Sequence, residues 1–277
     1  MVKPHPARRY SPLTLSAHTG LMKVIPTLSS EQINTYQEKG YIALTGVFTP
    51  DEVRAWDDES KRLLRLGLAH KDNLRTVTYR TSAGIPIVDR LNPVVDISPL
   101  FKALTEDERI MKLLRELYGE DMLLFKDKII YKMPGVTGYE MHQDYSSWQV
   151  FPRNLVNVIV SIDVADADNG GVEFFPGYHD RLLSTPGELR HMSGQEAEQI
   201  DFSKSEVVKT NPGDIVIFDC LTPHRSGVNR SSRLRRQLYL TYSSAKNGDL
   251  YEEQLKYIQE LTRNRRSEKA KERSFFR

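Results

Sequence analysis

His142 and Asp144 stand two residues apart, and on an extended backbone that spacing turns both side chains to one face. Some eighty residues later, Pro223-His224-Arg225-Ser226-Gly227 offers a second imidazole. Two imidazoles and a carboxylate leave half the positions of an octahedral metal open, the facial-triad pattern of non-haem Fe(II) oxygenases. The same groups also describe a hydrolytic zinc site, and a lone His-x-Asp pair is common surface chemistry. Arg235 bears on the choice. An oxygenase that uses 2-oxoglutarate must fix a dicarboxylate, and a guanidinium meets a carboxylate in two parallel charge-assisted hydrogen bonds. Arg235 lies eleven residues after His224, where an expected strand begins, and Ser226 can add a hydroxyl donor. Alternatively, Arg235 belongs to a solvated run with Arg230, Arg233 and Arg236. A zinc hydrolase would leave Arg235 without a role, and a metal-free jelly-roll binding module would tolerate His142→Ala.

Residues that position this set follow from local pattern. Ser29 and Gln32 form a capping box, with Leu28 and Ile33 placed as a staple, so a helix is expected to about Lys39, where Gly40 ends it. Tyr41 to Leu44 reads as a strand. Thr49-Pro50-Asp51-Glu52 starts a helix to about Leu66, and a third helix follows Thr105 to Glu108 and stops before Gly119. From Met122 onward short strands are expected: Met122–Lys132, Leu155–Val164, Val172–Phe175, the apolar Ile215–Phe218, and Gln237–Ser243 with two unlike faces. Asp168-Asn169-Gly170-Gly171 suits a tight hairpin. Helices first and an antiparallel double sheet after them predict a mainly β protein with flanking helices, a cupin-like jelly roll or double-stranded β-helix with metal in its interior.

The chain has 277 residues and a net charge of +2, so nothing in the bulk charge recruits nucleic acid or a membrane. Basic residues from Arg263 to Arg277 are interleaved with Glu260, Glu268 and Glu272 and read as a solvated helix end, with a nucleic-acid tail as the other reading. One cysteine, Cys220, excludes an intrachain disulfide, and no run approaches membrane-spanning length, so a soluble cytoplasmic protein is expected. Cys220 ends an apolar run and reads as a buried small hydrophobe. His5, His18, His70 and His191 lie in polar surroundings and read as surface residues, and His179 as structural. Residues 1–28 form a loosely ordered lead-in, 29–248 the jelly-roll domain with its helices, and 249–277 a charged helix and tail.

In order, Lys126-Asp127-Lys128-Ile129-Ile130-Tyr131-Lys132, His142-Gln143-Asp144, Asn169-Gly170-Gly171-Val172-Glu173-Phe174-Phe175-Pro176-Gly177-Tyr178-His179, and Pro223 to Gly227 with Asn229 resemble the phytanoyl-CoA dioxygenase family over roughly residues 30 to 245. The resemblance implies an Fe(II)- and 2-oxoglutarate-dependent hydroxylase that consumes O2, on a double-stranded β-helix. It implies His142, Asp144 and His224 as iron ligands and Arg235 as the 2-oxoglutarate partner. Ser226, Gln143 and Lys128 complete the implied lining. A carboxylate at Asp144 favours hydroxylation over halogenation. Bacterial members of similar pattern point to a small polar or zwitterionic metabolite, such as an aminoalkylphosphonate or an amino-acid-like compound. Tyr139, Tyr145, Ser147 and Trp148 flank the ligand candidates and are candidates for substrate binding: they form either an aromatic box for a cationic group or core packing. Arg80 and Arg90 are candidates for an anionic group.

Overall fold

The structure is a computed structural model that describes residues 25–69, 75–80, 86–184 and 191–275. Most of the expected lead-in, with His5 and His18, lies outside the described residues, as do His70 and the side chains of Arg80 and of the basic tail from Arg265 onward. The chain runs α1 (Ser30–Lys39), β1 (Tyr41–Leu44), α2 (Pro50–Ala69), β2 (Thr76–Arg80), β3 (Pro86–Leu91), α3 (Pro99–Thr105), α4 (Glu108–Tyr118) and β4 (Met122–Lys132). It continues through β5 (Leu155–Ser161), β6 (Val172–Phe174), α5 (Gly194–Ala197), β7 (Glu206–Val207), β8 (Ile215–Asp219), β9 (His224–Ser226), β10 (Arg235–Ser244) and α6 (Tyr251–Phe275).

Seven strands form one sheet in the order β1-β8-β5-β10-β4-β3-β2, and three form a second in the order β7-β6-β9. All pairings are antiparallel. Strand alternation sorts the large sheet into two faces. Inward go Tyr41, Ile130, Ile159, Val216, Phe218 and Tyr239, which pack on Val172 and Phe174 of the small sheet. Outward go Ile42, Ile129, Tyr131, Val158, Ile217, Leu238 and Tyr242, which pack against Trp56, Leu63, Phe101, Ile110 and Leu113 of the helices. Both faces of β5 and β10 are therefore buried along their whole length. The jelly roll with flanking helices stands as expected.

Where local signals were strong, elements form where expected. Ser29 Oγ accepts from the Gln32 amide at 3.1 Å, Gln32 Oε1 accepts from the Ser29 amide at 2.8 Å, and Gly40 closes α1 at φ 81°. The short α3 has no counterpart in the sequence reading. Ser98 caps it with Pro99 at its first position, but seven residues are too few for helical periodicity to register. The Asp168–Gly171 turn also departs from expectation. It does not close a hairpin, because β5 pairs with β8 and β10 whereas β6 pairs with β7 and β9. The turn instead carries the chain from the large sheet to the small one. Asp166 Oδ1 accepts from the Asp168 and Asn169 amides at 3.1 and 3.0 Å and shapes it.

Two polar knots fix the helices on the sheet. Asp127 faces outward from β4, where it accepts from the amides of Val94 and Val95 at 2.6 and 3.1 Å and from the Tyr251 hydroxyl at 2.7 Å. That last bond docks the start of α6. Arg109, 3 % exposed, bridges Glu52 at 2.6 Å and Asp107 at 2.7 Å. Burial pushes the Glu52 carboxyl up, but the Arg109 hydrogen bond and the Thr49 cap outweigh it and hold the group at about 2. A carboxyl depressed in the folded state stabilises above its ordinary range, and that stability is lost as pH falls toward the folded value. Urea unfolding of the metal-free protein should therefore lose about 1–2 kcal/mol between pH 5 and pH 2 through this group, after discount for solvent screening. Glu52→Gln should remove that part of the slope; an unchanged slope would assign acid sensitivity elsewhere.

Candidate active site

His142 belongs to no long strand. Its amide and carbonyl exchange 3.0 Å hydrogen bonds with those of His224, an isolated antiparallel bridge that ties the two imidazoles together across the barrel. Gln143 is extended at φ −109°, ψ 125°, and Asp144 already opens a short 3-10 turn to Ser147. The expected shared face is thus made by an extended step running into a turn. Ligand atoms of His142, Asp144 and His224 all lie within 4.8 Å of one another. Asp144 Oδ1 is 3.4 Å from His142 Nε2, and Oδ2 is 3.9 Å from His224 Nε2.

Supporting bonds leave the right atoms free. His142 Nδ1 meets the Glu140 carbonyl at 2.8 Å and His224 Nδ1 meets the Thr222 carbonyl at 3.0 Å. A carbonyl only accepts, so each Nδ1 carries the proton and each Nε2 keeps its lone pair for a metal. Asn157 on β5 donates from Nδ2 to Asp144 Oδ2 at 2.9 Å, and its Oδ1 accepts from Thr241 at 2.6 Å. Burial alone would raise Asp144, but His142, His224 and the Lys128 ammonium outweigh it and hold the carboxyl well below its ordinary value. Burial, with His142 beside it, pulls His224 down to about 4. The donor set is therefore a carboxylate and two imidazole nitrogens, which fits a divalent transition metal. Gly138 lets the preceding loop in: a Cβ there would stand 1.5 Å from the Ser226 carbonyl oxygen.

Arg235 departs from a solvated run. Arg230 and Arg233 are exposed, and Arg236 pairs with Asp163 at 2.7 Å, but Arg235 is 1 % exposed. Its Nη1 donates to Gln237 Oε1, which also accepts from the Tyr239 hydroxyl at 3.1 Å, and its buried Nε has no hydrogen-bond partner among the described residues. Lys132, across β4 from it, donates to Ser226 Oγ at 3.0 Å and to the Gly170 carbonyl at 3.3 Å. Gly170, at φ 72°, is needed there: a Cβ would come within 2.9 Å of Lys132 Nζ. Burial, and then Arg235, pull the Lys132 ammonium down to about 7. A buried guanidinium beside an ammonium, with no ion-paired carboxylate of its own among the described residues, is costly without a bound anion. Donors of this kind suit a terminal carboxylate of 2-oxoglutarate. Lys132 was missed in the sequence because a lysine in a strand reads as surface until its partners are known.

The cavity over the triad measures about 240 Å³ and is lined by Arg90, Lys126, Lys128, Tyr139, Trp148 and Tyr239, with Ile130, Ser147, Val172, Arg225 and Ser226. Of the candidate residues, Ser147, Tyr139, Trp148, Ser226 and Lys128 line this cavity. Two others do not. Gln143 is fully buried, donates to the carbonyls of Arg181 and Leu221, and accepts from the Leu183 amide. All its capacity goes into pinning loops, leaving none for a co-substrate. Tyr145 packs beside Phe125 and Phe151 and donates to the Phe151 carbonyl at 3.2 Å, so it supports the wall from behind. His191 is exposed as expected but stands at the cavity mouth, its ring 6.0 Å from that of His142.

An aromatic box for a substrate cation is not what these side chains make. Lys126 Nζ sits 4.5 Å over the Trp148 ring and Lys128 Nζ 4.9 Å over Tyr239, while the Arg90 guanidinium is 5.9 Å from Tyr139. Each of these three rings already has a cation of the protein against it. Burial, and then Lys128, lower the Lys126 ammonium to about 7; burial also lowers Lys128. Against these cations stand Asp144 and Asp89, and the Asp89 carboxyl, raised by burial, accepts from the Tyr139 hydroxyl. Basic side chains thus outnumber carboxylates along the cavity lining.

Comparison with known proteins agrees with this geometry. The family model described as phytanoyl-CoA dioxygenase (PhyH) matches residues 36–237. A methylphosphonate hydroxylase of Gimesia maris is 30% identical over 230 residues, covering 82% of this chain and 85% of its own. A 2-aminoethylphosphonate dioxygenase from an uncultured bacterium is 26% identical over 222 residues, covering 80% and 84%. Among solved structures, EctD from S. alaskensis with 2-oxoglutarate and 5-hydroxyectoine superposes with a TM-score of 0.67 at 22% identity, over 79% of this chain and 77% of that one. That likeness shows the shared fold.

Proposed function

This chain belongs to the phytanoyl-CoA dioxygenase family, and on that premise we propose that it hydroxylates a C–H bond of a small anionic metabolite, a phosphonate above all, with Fe(II), 2-oxoglutarate and O2. In this reading His142, Asp144 and His224 hold the iron through Nε2 and carboxylate oxygens. Iron so held supplies the oxidising chemistry that consumes O2 and 2-oxoglutarate, releases succinate and CO2, and leaves a hydroxyl on the substrate. The protein's own groups do the rest. Backbone carbonyls of Glu140 and Thr222 fix the imidazole tautomers, and Asn157 fixes the carboxylate. Arg235, Lys132 and Ser226 take the far carboxylate of 2-oxoglutarate. Ile130, Val172, Trp148 and Tyr239 wall off water.

One observation carries the substrate class: protein cations already stand against Tyr139, Trp148 and Tyr239 of the cavity, so its unmet demand is for negative charge. A cavity of about 240 Å³ falls below the roughly 300–1,000 Å³ of drug-sized sites and favours a metabolite over a long acyl-CoA. A zinc hydrolase would give the buried Arg235–Lys132 pair nothing to bind, and a metal-free module would not need both Nε2 atoms freed. No helix among the described residues is long and apolar enough to cross a membrane. The buried, unpaired Cys220 suits a reducing compartment, and the cytoplasm is the proposed location.

Succinate release measured across methylphosphonate, 2-aminoethylphosphonate, betaines and amino acids is the test. Phosphonates should couple decarboxylation to a hydroxylated product. Turnover of betaines with phosphonates uncoupled would end the anion reading.

A further inference from the structure

The inner face of β4 presents Lys126, Lys128, Ile130 and Lys132 in succession. Six residues of strand separate Lys126 from Lys132, roughly 20 Å at about 3.3 Å per residue. The Lys132 end, with Arg235 and Ser226, is the seat proposed above for 2-oxoglutarate. Lys126 stands at the other end. Its register partner on β10 is Thr241, and Thr241 in turn pairs with Asn157, the residue that holds Asp144. Lys126 is therefore level with Asn157, far along the strand from Arg235.

Among the described residues Lys126 makes no ion pair; its neighbour is the Trp148 ring. That ring is itself immobilised. It is 2 % exposed, meets Phe125 edge-on at 5.4 Å, and is backed by Tyr257 of α6 at 6.1 Å. An ammonium held on a fixed indole has lost its rotamer freedom in advance, which lowers the entropy cost of binding. Arg90, from β3, and Lys128 line the same cavity. Cations arriving from two strands suit an ion with several oxygens pointing in different directions, whereas a planar carboxylate is met best by one guanidinium fork.

We infer that Lys126, seated on Trp148 and assisted by Arg90, is the specificity-determining seat for a tetrahedral oxyanion, the phosphonate of the substrate, separate from the 2-oxoglutarate seat at Arg235 and Lys132. Naming that ion as substrate rests on the dioxygenase reading; the anion seat itself does not.

Binding is measured on metal-free protein, with methylphosphonate as the probe. The chain has two tryptophans, so Trp56→Phe leaves Trp148 as the only indole, and its fluorescence reports occupancy beside Lys126. Calorimetry on protein with both tryptophans gives the same affinity should Trp56→Phe fold poorly. Saturable binding is expected, with 2-oxoglutarate binding additionally rather than in competition. Lys126→Gln should weaken methylphosphonate about 10- to 100-fold, the loss of one charge-assisted hydrogen bond, and leave 2-oxoglutarate affinity unchanged. Lys126→Arg should retain binding. Equal methylphosphonate affinity in Lys126→Gln, or displacement of methylphosphonate by 2-oxoglutarate, would overturn the inference. Lys126-dependent binding without any succinate formation would uphold the seat and sink the dioxygenase reading instead. Coupled succinate formation whose KM for phosphonate ignores Lys126→Gln would do the reverse.

Discussion

Protein carrying His224→Ala, loaded anaerobically with Fe(II) and 2-oxoglutarate, is expected to lack the visible metal-to-ligand charge-transfer band and to lose succinate formation by about a thousandfold or more. Removing a group that only supports a ligand typically costs about 10- to 100-fold in metal affinity or activity, and here a ligand itself is removed. The substitution need not unfold the chain. Burial, with His142 beside it, pulls His224 down to about 4, and Asp144 keeps its bond from Asn157; the loss is of ring contacts with Phe218 at 4.9 Å and Phe174 at 5.9 Å. Asp144→Asn is the sharper companion. It keeps the shape of the side chain and an oxygen for Asn157 to donate to, yet removes the negative charge that a divalent ion requires. Both variants should keep their far-ultraviolet circular dichroism. An Asp144→Asn protein that binds iron and 2-oxoglutarate as tightly as the parent would remove the triad from the mechanism.

Legibility divided along a physical line. Features written in a few adjacent residues could be read directly: the Ser29–Gln32 capping box, the Gly40 stop, the two-faced strand at β10, and the two-residue spacing of His142 and Asp144. What depends on which segments meet could not. The Asp168–Gly171 turn has hairpin residues, but the partners of β5 and β6 lie far away in sequence and place them in different sheets. Gln143 sits between two ligand candidates and was expected to face the co-substrate; with its neighbours aimed inward, its own side chain goes the opposite way, into the loops at Leu183 and Leu221. Lys126 and Lys132 are ordinary strand lysines until strand register places one over Trp148 and the other against Ser226. Tyr139 and Trp148 line the cavity, but whether their faces stand vacant could not be read, because a cation–π face looks vacant in sequence when the occupying cation comes from another strand.

Arg235→Leu is expected to separate stability from co-substrate binding. In the metal-free, ligand-free protein Arg235 is a 1 % exposed charge beside Lys132 with no ion-paired carboxylate, and no hydrogen-bond partner for its Nε, among the described residues. An apolar side chain of similar volume removes a desolvated cation and the repulsion it exerts on Lys132, so thermal stability without ligand should hold or rise; replacements of buried charges by packed apolar groups are often neutral or stabilising by about 1–4 kcal/mol. Binding should move the other way. A guanidinium–carboxylate pair in a buried site is worth several kcal/mol once one partner is removed, so the Kd for 2-oxoglutarate should rise by about 100-fold or more, and its stabilisation of the folded state should vanish at concentrations that protect the parent. Arg235→Lys should recover part of the affinity, since it restores charge without the two-pronged geometry. Thermal melts with and without 2-oxoglutarate, in the presence of Fe(II) under anaerobic conditions, read both effects in one experiment. A leucine variant that is strongly destabilised without ligand, or one that 2-oxoglutarate still protects fully, would show that Arg235 is a structural cation and that the dicarboxylate is held elsewhere.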